Sequence, residues 1–174
     1  MKTSKRMIFA VVGAAALVTA TVYGAVSQPV ALGTMAYSDL FGGPATVFMR
    51  TLTINPGEVL GWHYHPGVGA YTVVTQGSLV VEDGCGDETV YMAGDAFLEP
   101  PYRVHRGKNL TAANVVTAQT FIVPAGMATS QSTTQRCGPP VTVAECQNGG
   151  WVRFDHPRNF LNQGDCQQYV IAGR

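Results

Sequence analysis

Between Ala45 and Pro124 the chain is a series of short apolar and β-branched runs, each cut off by a turn. The runs are Thr46–Ile54, Val59–His65, Ala70–Thr75, Ser78–Glu82, Thr89–Met92, Ala96–Leu98 and Asn114–Val123. Val, Thr, Ile, Tyr and Phe dominate them, the residue types that suit a pleated, half-buried surface. The gaps hold Asn55-Pro56-Gly57, Gln76-Gly77 and Asp83-Gly84-Cys85-Gly86-Asp87, which supply the conformations of tight turns. No run of about ten residues keeps a 3.6-residue apolar period, so helix is scarce here. Strands this short and evenly spaced predict an all-β sandwich or small barrel. The 174 residues include 20 glycines and 10 prolines, and 46% are hydrophobic against 13% charged. That suffices for one packed domain and excludes global disorder.

Eleven Lys and Arg balance eleven Asp and Glu. The balance argues against a nucleic-acid-binding surface. Three of the basic residues, Lys2, Lys5 and Arg6, stand in the first six positions, and without them the net charge is −3. They open a segment with the parts of a secretory signal: a charged start, an apolar run from Met7 to Val22, then small residues in Val22-Tyr-Gly24 or Ala25-Val-Ser27. The apolar run is short of the roughly 20 residues a spanning helix needs. Residues 1–27 are therefore expected to be a cleaved signal peptide. The expected product is secreted and has no stable membrane span; an uncleaved anchor is the alternative.

The four cysteines, Cys85, Cys137, Cys146 and Cys166, all lie downstream of that segment, and none forms a C-x-x-C pair. In an exported protein such a set predicts disulfides rather than zinc ligands. Cys146 and Cys166 share one short C-terminal segment, so the expected pairs are Cys146–Cys166 and, by elimination, Cys85–Cys137. Residues 28–125 are expected to form the β-domain and 126–140 a polar linker. Residues 141–174 are too few to bury a core alone and are expected to rely on their disulfide.

The chemistry concentrates in the histidines. In Gly61-Trp62-His63-Tyr64-His65-Pro66 the two imidazoles stand at i and i+2, which on a strand share one face. His105 follows in a second segment, Gly94 to Asn109. On a neighbouring strand it would complete a set of three nitrogens with metal positions left open, the pattern of a catalytic metal site. A His-x-His pair alone also suits a polar strand face. The surroundings are more specific. Gly57, His63, His65 and Gly77 match the first cupin motif, with Ala70 where its Glu stands. Gly94, Pro100, His105 and Asn109 match the second, with Tyr102 in place of a Gly.

Over roughly residues 45–124 the chain thus resembles the cupin superfamily. The resemblance implies a double-stranded β-helix, a jelly-roll cupin barrel. It also implies one divalent transition metal (Fe, Mn, Zn, Ni or Cu) inside the barrel, and a homodimer. Without a Glu at position 70, the expected metal ligands are His63, His65 and His105. Glu99 is expected to stand behind them as a supporting carboxylate or to act as the general base. Tyr102 is expected to narrow the mouth of the site. Trp62 and Tyr64 should turn to the opposite strand face, and His156, in a loop-like setting, should be a solvated surface residue.

The last segment, with Cys146-Gln-Asn-Gly-Gly-Trp151 and Phe160-Leu-Asn-Gln-Gly-Asp-Cys166, resembles a short tail on secreted proteins of high-GC Gram-positive (actinobacterial) species. That resemblance brings no biochemical role. Asn162 with Asp165 three residues on predicts a cap for a short helix carrying Cys166. Two functions follow from the whole reading: a secreted metal-dependent enzyme of oxygenase type acting on a small molecule, or a non-catalytic extracellular module that binds a small ligand.

Overall fold

The computed structural model describes residues 24–172. The charged start and apolar run of the expected signal peptide lie outside the described residues. Ten strands follow in chain order: β1 (Val26–Ser38), β2 (Gly43–Ile54), β3 (His63–Tyr64), β4 (Ala70–Gln76), β5 (Ser78–Asp83), β6 (Glu88–Met92), β7 (Ala96–Glu99), β8 (His105–Lys108), β9 (Val115–Pro124) and β10 (Gln131–Ser132). They form two five-stranded sheets, ordered β1-β2-β9-β4-β7 and β10-β3-β8-β5-β6, with every pairing antiparallel. The expected barrel is therefore a pair of facing sheets, neither closed on itself. Side chains alternate as the strand period requires: Val115, Thr117, Gln119, Phe121 and Val123 of β9 are buried while their neighbours are half-exposed. Leu52, Ile54, Val74 and Val115 of one sheet pack on Leu79 of the other.

Two expected boundaries differ. The run Val59–His65 keeps only two residues in a strand, plus an isolated bridge from Val59 to Lys108. Its Pro66 and the glycines on either side favour turns over a longer ladder. Residues 126–140, expected to be a polar linker, are bonded to the rest of the chain. Gln131 and Ser132 pair with Tyr64 and His63, the Thr133 N–H donates to the Trp62 carbonyl, and the Arg103 guanidinium donates to the Pro139 carbonyl. A polar composition concealed a segment held mostly by backbone hydrogen bonds, which leave no apolar signature.

Disulfides join Cys85 to Cys137 and Cys146 to Cys166. With Phe154 and Phe160, three of these cysteines form a second buried cluster beside the sheets. Arg103 ties this tail to the domain through ion pairs with Asp83 and Glu145. One helix, α1 (Gln163–Ile171), carries Cys166, and the Asn162 side chain caps it by accepting from the Asp165 N–H at 2.9 Å. Among the described residues no helix is long and apolar enough to cross a membrane.

Candidate metal centre

His63 of β3 and His105 of β8 are direct partners across the sheet. His65 follows β3, and its ring lies 4.9 Å from that of His63 and 5.1 Å from that of His105, centroid to centroid. Glu99 enters from the opposite sheet at the end of β7. Together the four residues offer one donor atom each, all within 4.8 Å of one another. His65 is fully buried and Glu99 is 6% exposed.

The outer nitrogens settle the tautomers. Nδ1 of His63, His65 and His105 donates to the carbonyls of Gly61, Thr129 and Arg103 at 2.8, 2.7 and 2.9 Å. A carbonyl can only accept, so each Nδ1 carries a proton and each neutral ring turns the Nε2 lone pair inward. Glu99 Oε2 lies 2.8 Å from Nε2 of both His65 and His105. Acceptors that close require a cation between them, either a proton or a metal ion. Nitrogen and oxygen donors about 2.0–2.2 Å from a common ion stand at spacings of this order.

Protonation follows the same logic. Burial, then the neighbouring charges of His105 and His65, push His63 down to about 4. Burial also opposes charge on His105, but the hydrogen bond and charge of Glu99 outweigh it and raise its pKa above the usual imidazole value. Burial alone would raise Glu99; hydrogen bonds from His105 and His65 hold it well below the usual carboxylate range.

The position of the carboxylate corrects the sequence expectation. Glu99 stands among the donor atoms of the three imidazoles rather than behind them. Its place has a topological cause. Ala70 of β4 and Glu99 of β7 are cross-strand partners, and both side chains are buried. The motif's missing carboxylate at position 70 is thus supplied from the adjacent position on the next strand, a few ångströms away. Gly69 permits this approach: it has φ of +86°, and a Cβ there would stand 2.1 Å from the Glu99 carbonyl. Sequence spacing along one motif could not show a ligand moved sideways between strands.

Other expectations are met or revised. Thr72 faces inward and donates to Glu99 Oε1, with Gln119 Nε2 donating to the same oxygen at 3.1 Å. Tyr71 turns outward. Tyr102 does not narrow the site. It takes the left-handed conformation of the glycine it replaces, with φ of 61°, and its exposed ring lies against Tyr64. Asn109 is fully buried and bonds the carbonyls of Ile54 and Ala113. His156 is half-buried rather than solvated, and it takes no part in the cluster.

A cavity of about 310 Å³ opens beside the cluster. His63, Glu99 and His105 line one side of it, and Ser130 and Ser132 also border it. Arg50 reaches it from β2, its Nε donating to Gln119 Oε1 at 2.8 Å. Burial lowers the Arg50 pKa and the charge of Glu99 opposes that shift; the guanidinium stays protonated.

Residues 50–126 match the family model described as Cupin domain. No curated protein matches the chain. Among solved structures, it resembles a conserved protein with a double-stranded β-helix domain from Klebsiella pneumoniae subsp. pneumoniae. The identity is 18% over 65% of this chain and 87% of that one, with a TM-score of 0.49. It also resembles oxalate decarboxylases of Lactobacillus farciminis and Bacillus subtilis, each at 20% identity over 49% of this chain, with TM-scores of 0.44 and 0.42. The aligned part spans only 26% and 23% of those two chains. Two facing antiparallel sheets, the family match and the His/His/His/Glu cluster between the sheets make residues 50–126 a cupin domain.

Proposed function

We propose that this is an exported cupin-domain metalloenzyme that holds one divalent transition metal on His63, His65, His105 and Glu99 and acts on a small molecule. The observation that carries the reading is the triple Nδ1–carbonyl arrangement. Three backbone carbonyls orient three lone pairs toward one point that also faces a carboxylate. Outer hydrogen bonds of this kind orient histidine ligands and raise their basicity. His63, His65, His105 and Glu99 would hold the ion, and when bound it would supply Lewis-acid polarisation of a substrate oxygen or the redox chemistry of an oxygenase. The protein's own contribution is to orient the donors through their outer hydrogen bonds and to present a cavity beside them.

Elemental analysis of the exported protein tests the reading: one first-row metal per chain is expected. Replacing His105 with Ala should abolish retention with the fold intact, because its core is apolar strands. A His105→Ala variant that holds metal at wild-type stoichiometry would place the site elsewhere. The second reading, a non-catalytic ligand-binding module, is favoured by one observation. Apart from His63, His105 and Glu99, the titratable residue on the cavity wall is Arg50, which is a poor acid or base. Azide added to cobalt-loaded protein separates open metal positions from a closed site by its effect on the visible spectrum.

A further inference from the structure

Arg50 and Thr117 face the cavity from adjacent strands, β2 and β9, and the cluster uses neither. Beyond the bond to Gln119, the guanidinium lies over the Phe121 ring, 5.0 Å from its centroid. Among the described residues, no group accepts from its two terminal nitrogens. Thr117 is 1% exposed, and among the described residues its Oγ1 has no hydrogen-bond partner. Buried polar groups are paired almost without exception. A cation with free donors and an orphaned hydroxyl on one cavity wall therefore point to a ligand that supplies the acceptors.

The remaining wall sets the rest of that ligand. Leu52, Ile54, Leu60, Leu79 and Val81 make one side of it apolar, while Ser130 and Ser132 border another part. Glu99 is engaged by His65, His105, Thr72 and Gln119 and does not neutralise Arg50 directly. Three neutral imidazoles, Glu99, Arg50 and a divalent ion sum to a positive charge of two, which favours an anion. We propose that the cavity binds a small apolar monocarboxylic acid bearing a second oxygen, an oxo or hydroxy acid. Its carboxylate lies on the Arg50 guanidinium, its second oxygen accepts from Thr117 Oγ1, and its hydrocarbon body rests on the Leu and Ile side chains. This names a substrate class for the metal site and rests on the metalloenzyme reading.

The test is calorimetric titration of the protein, zinc-loaded and metal-free, with 4-methyl-2-oxopentanoate, 4-methylpentanoate and the uncharged 4-methylpentan-1-ol. Both acids should bind more tightly than the alcohol. Arg50→Met should weaken both acids at least tenfold, leave the alcohol unchanged and leave zinc at one per chain. Thr117→Val should remove the preference for the oxo acid in the metal-free protein, where chelation of the ion makes no contribution. Equal binding of acids and alcohol, or acid affinity untouched by Arg50→Met, overturns the proposal. An oxo-acid preference that survives Thr117→Val in the metal-free protein removes Thr117 from it. Arg50-dependent binding in a wild-type protein that takes up no metal sustains this inference and overturns the metalloenzyme reading. Metal uptake without Arg50-dependent binding does the reverse.

Discussion

His63 and His105 face each other across two strands, yet their surroundings push their imidazoles in opposite directions. His63, driven down to about 4, is neutral at neutral pH. In the metal-free protein its folded value lies below the unfolded value of about 6.5. As pH falls from there toward 4, the unfolded chain takes a proton that the folded chain refuses, and stability declines. His105 has the opposite sign, since its pKa is raised by Glu99. It contributes stability below about 6.5, lost as pH rises through its folded value. A metal ion competes with that proton. We expect NMR titration of the metal-free protein to show one imidazole midpoint near 4 and one above the ordinary value. We also expect metal uptake at about pH 6, below the ordinary imidazole value, to release a proton, read as a dependence of the calorimetric heat on buffer ionisation. Two midpoints near 6.5 would mean that the cluster is open to water.

At the scale of elements, the centre depends on register rather than on any one strand. β4 and β7 align Ala70 with Glu99, so either position can present a carboxylate to the same point. Glu99→Ala should lower metal affinity more than tenfold, because three imidazoles remain without the anionic donor. Adding Ala70→Glu to that variant should restore most of the loss, measured as metal content after dialysis. A double variant as empty as Glu99→Ala alone would show that the two positions are not interchangeable. β10 contributes in a similar way. Its segment carries Thr129, whose carbonyl orients His65 at 2.7 Å, and Ser130 and Ser132 on the cavity wall.

For the whole molecule, the question is what holds the tail to the sandwich. The Cys85–Cys137 bond joins a turn of the domain to the chain entering the tail, across a sequence separation of 52. In the chain-entropy model a loop of that size contributes about 4 kcal/mol, against about 3 kcal/mol for the separation of 20 between Cys146 and Cys166. Replacing Cys85 and Cys137 with Ala should therefore lower the urea midpoint more than replacing Cys146 and Cys166. The reverse order would mean that the tail is an independent unit. Arg103 links this region to the centre, since its carbonyl accepts from His105 Nδ1 while its guanidinium pairs with Asp83 and Glu145.

The amino-acid pattern alone determined that residues 45–124 are β-rich, that two histidines share a face, and which glycines and prolines end the runs. These are local properties, set by the two-residue strand period and by turn chemistry, and they can be read without knowing which strands meet. The pattern also brought His105 into consideration, because its motif has its own spacing. Only the tertiary structure decided that Glu99 replaces the carboxylate missing at position 70, since cross-strand register follows from how two sheets pair and leaves no mark on either strand. The same holds for residues 126–140, whose backbone bonds look polar and loose in sequence, and for Tyr102, whose left-handed backbone sends a bulky ring outward. Arg50 and Thr117 are the clearest case. In sequence they are unremarkable members of two strands, and only the pairing of β2 with β9 puts a cation and an unpartnered hydroxyl on the same cavity wall.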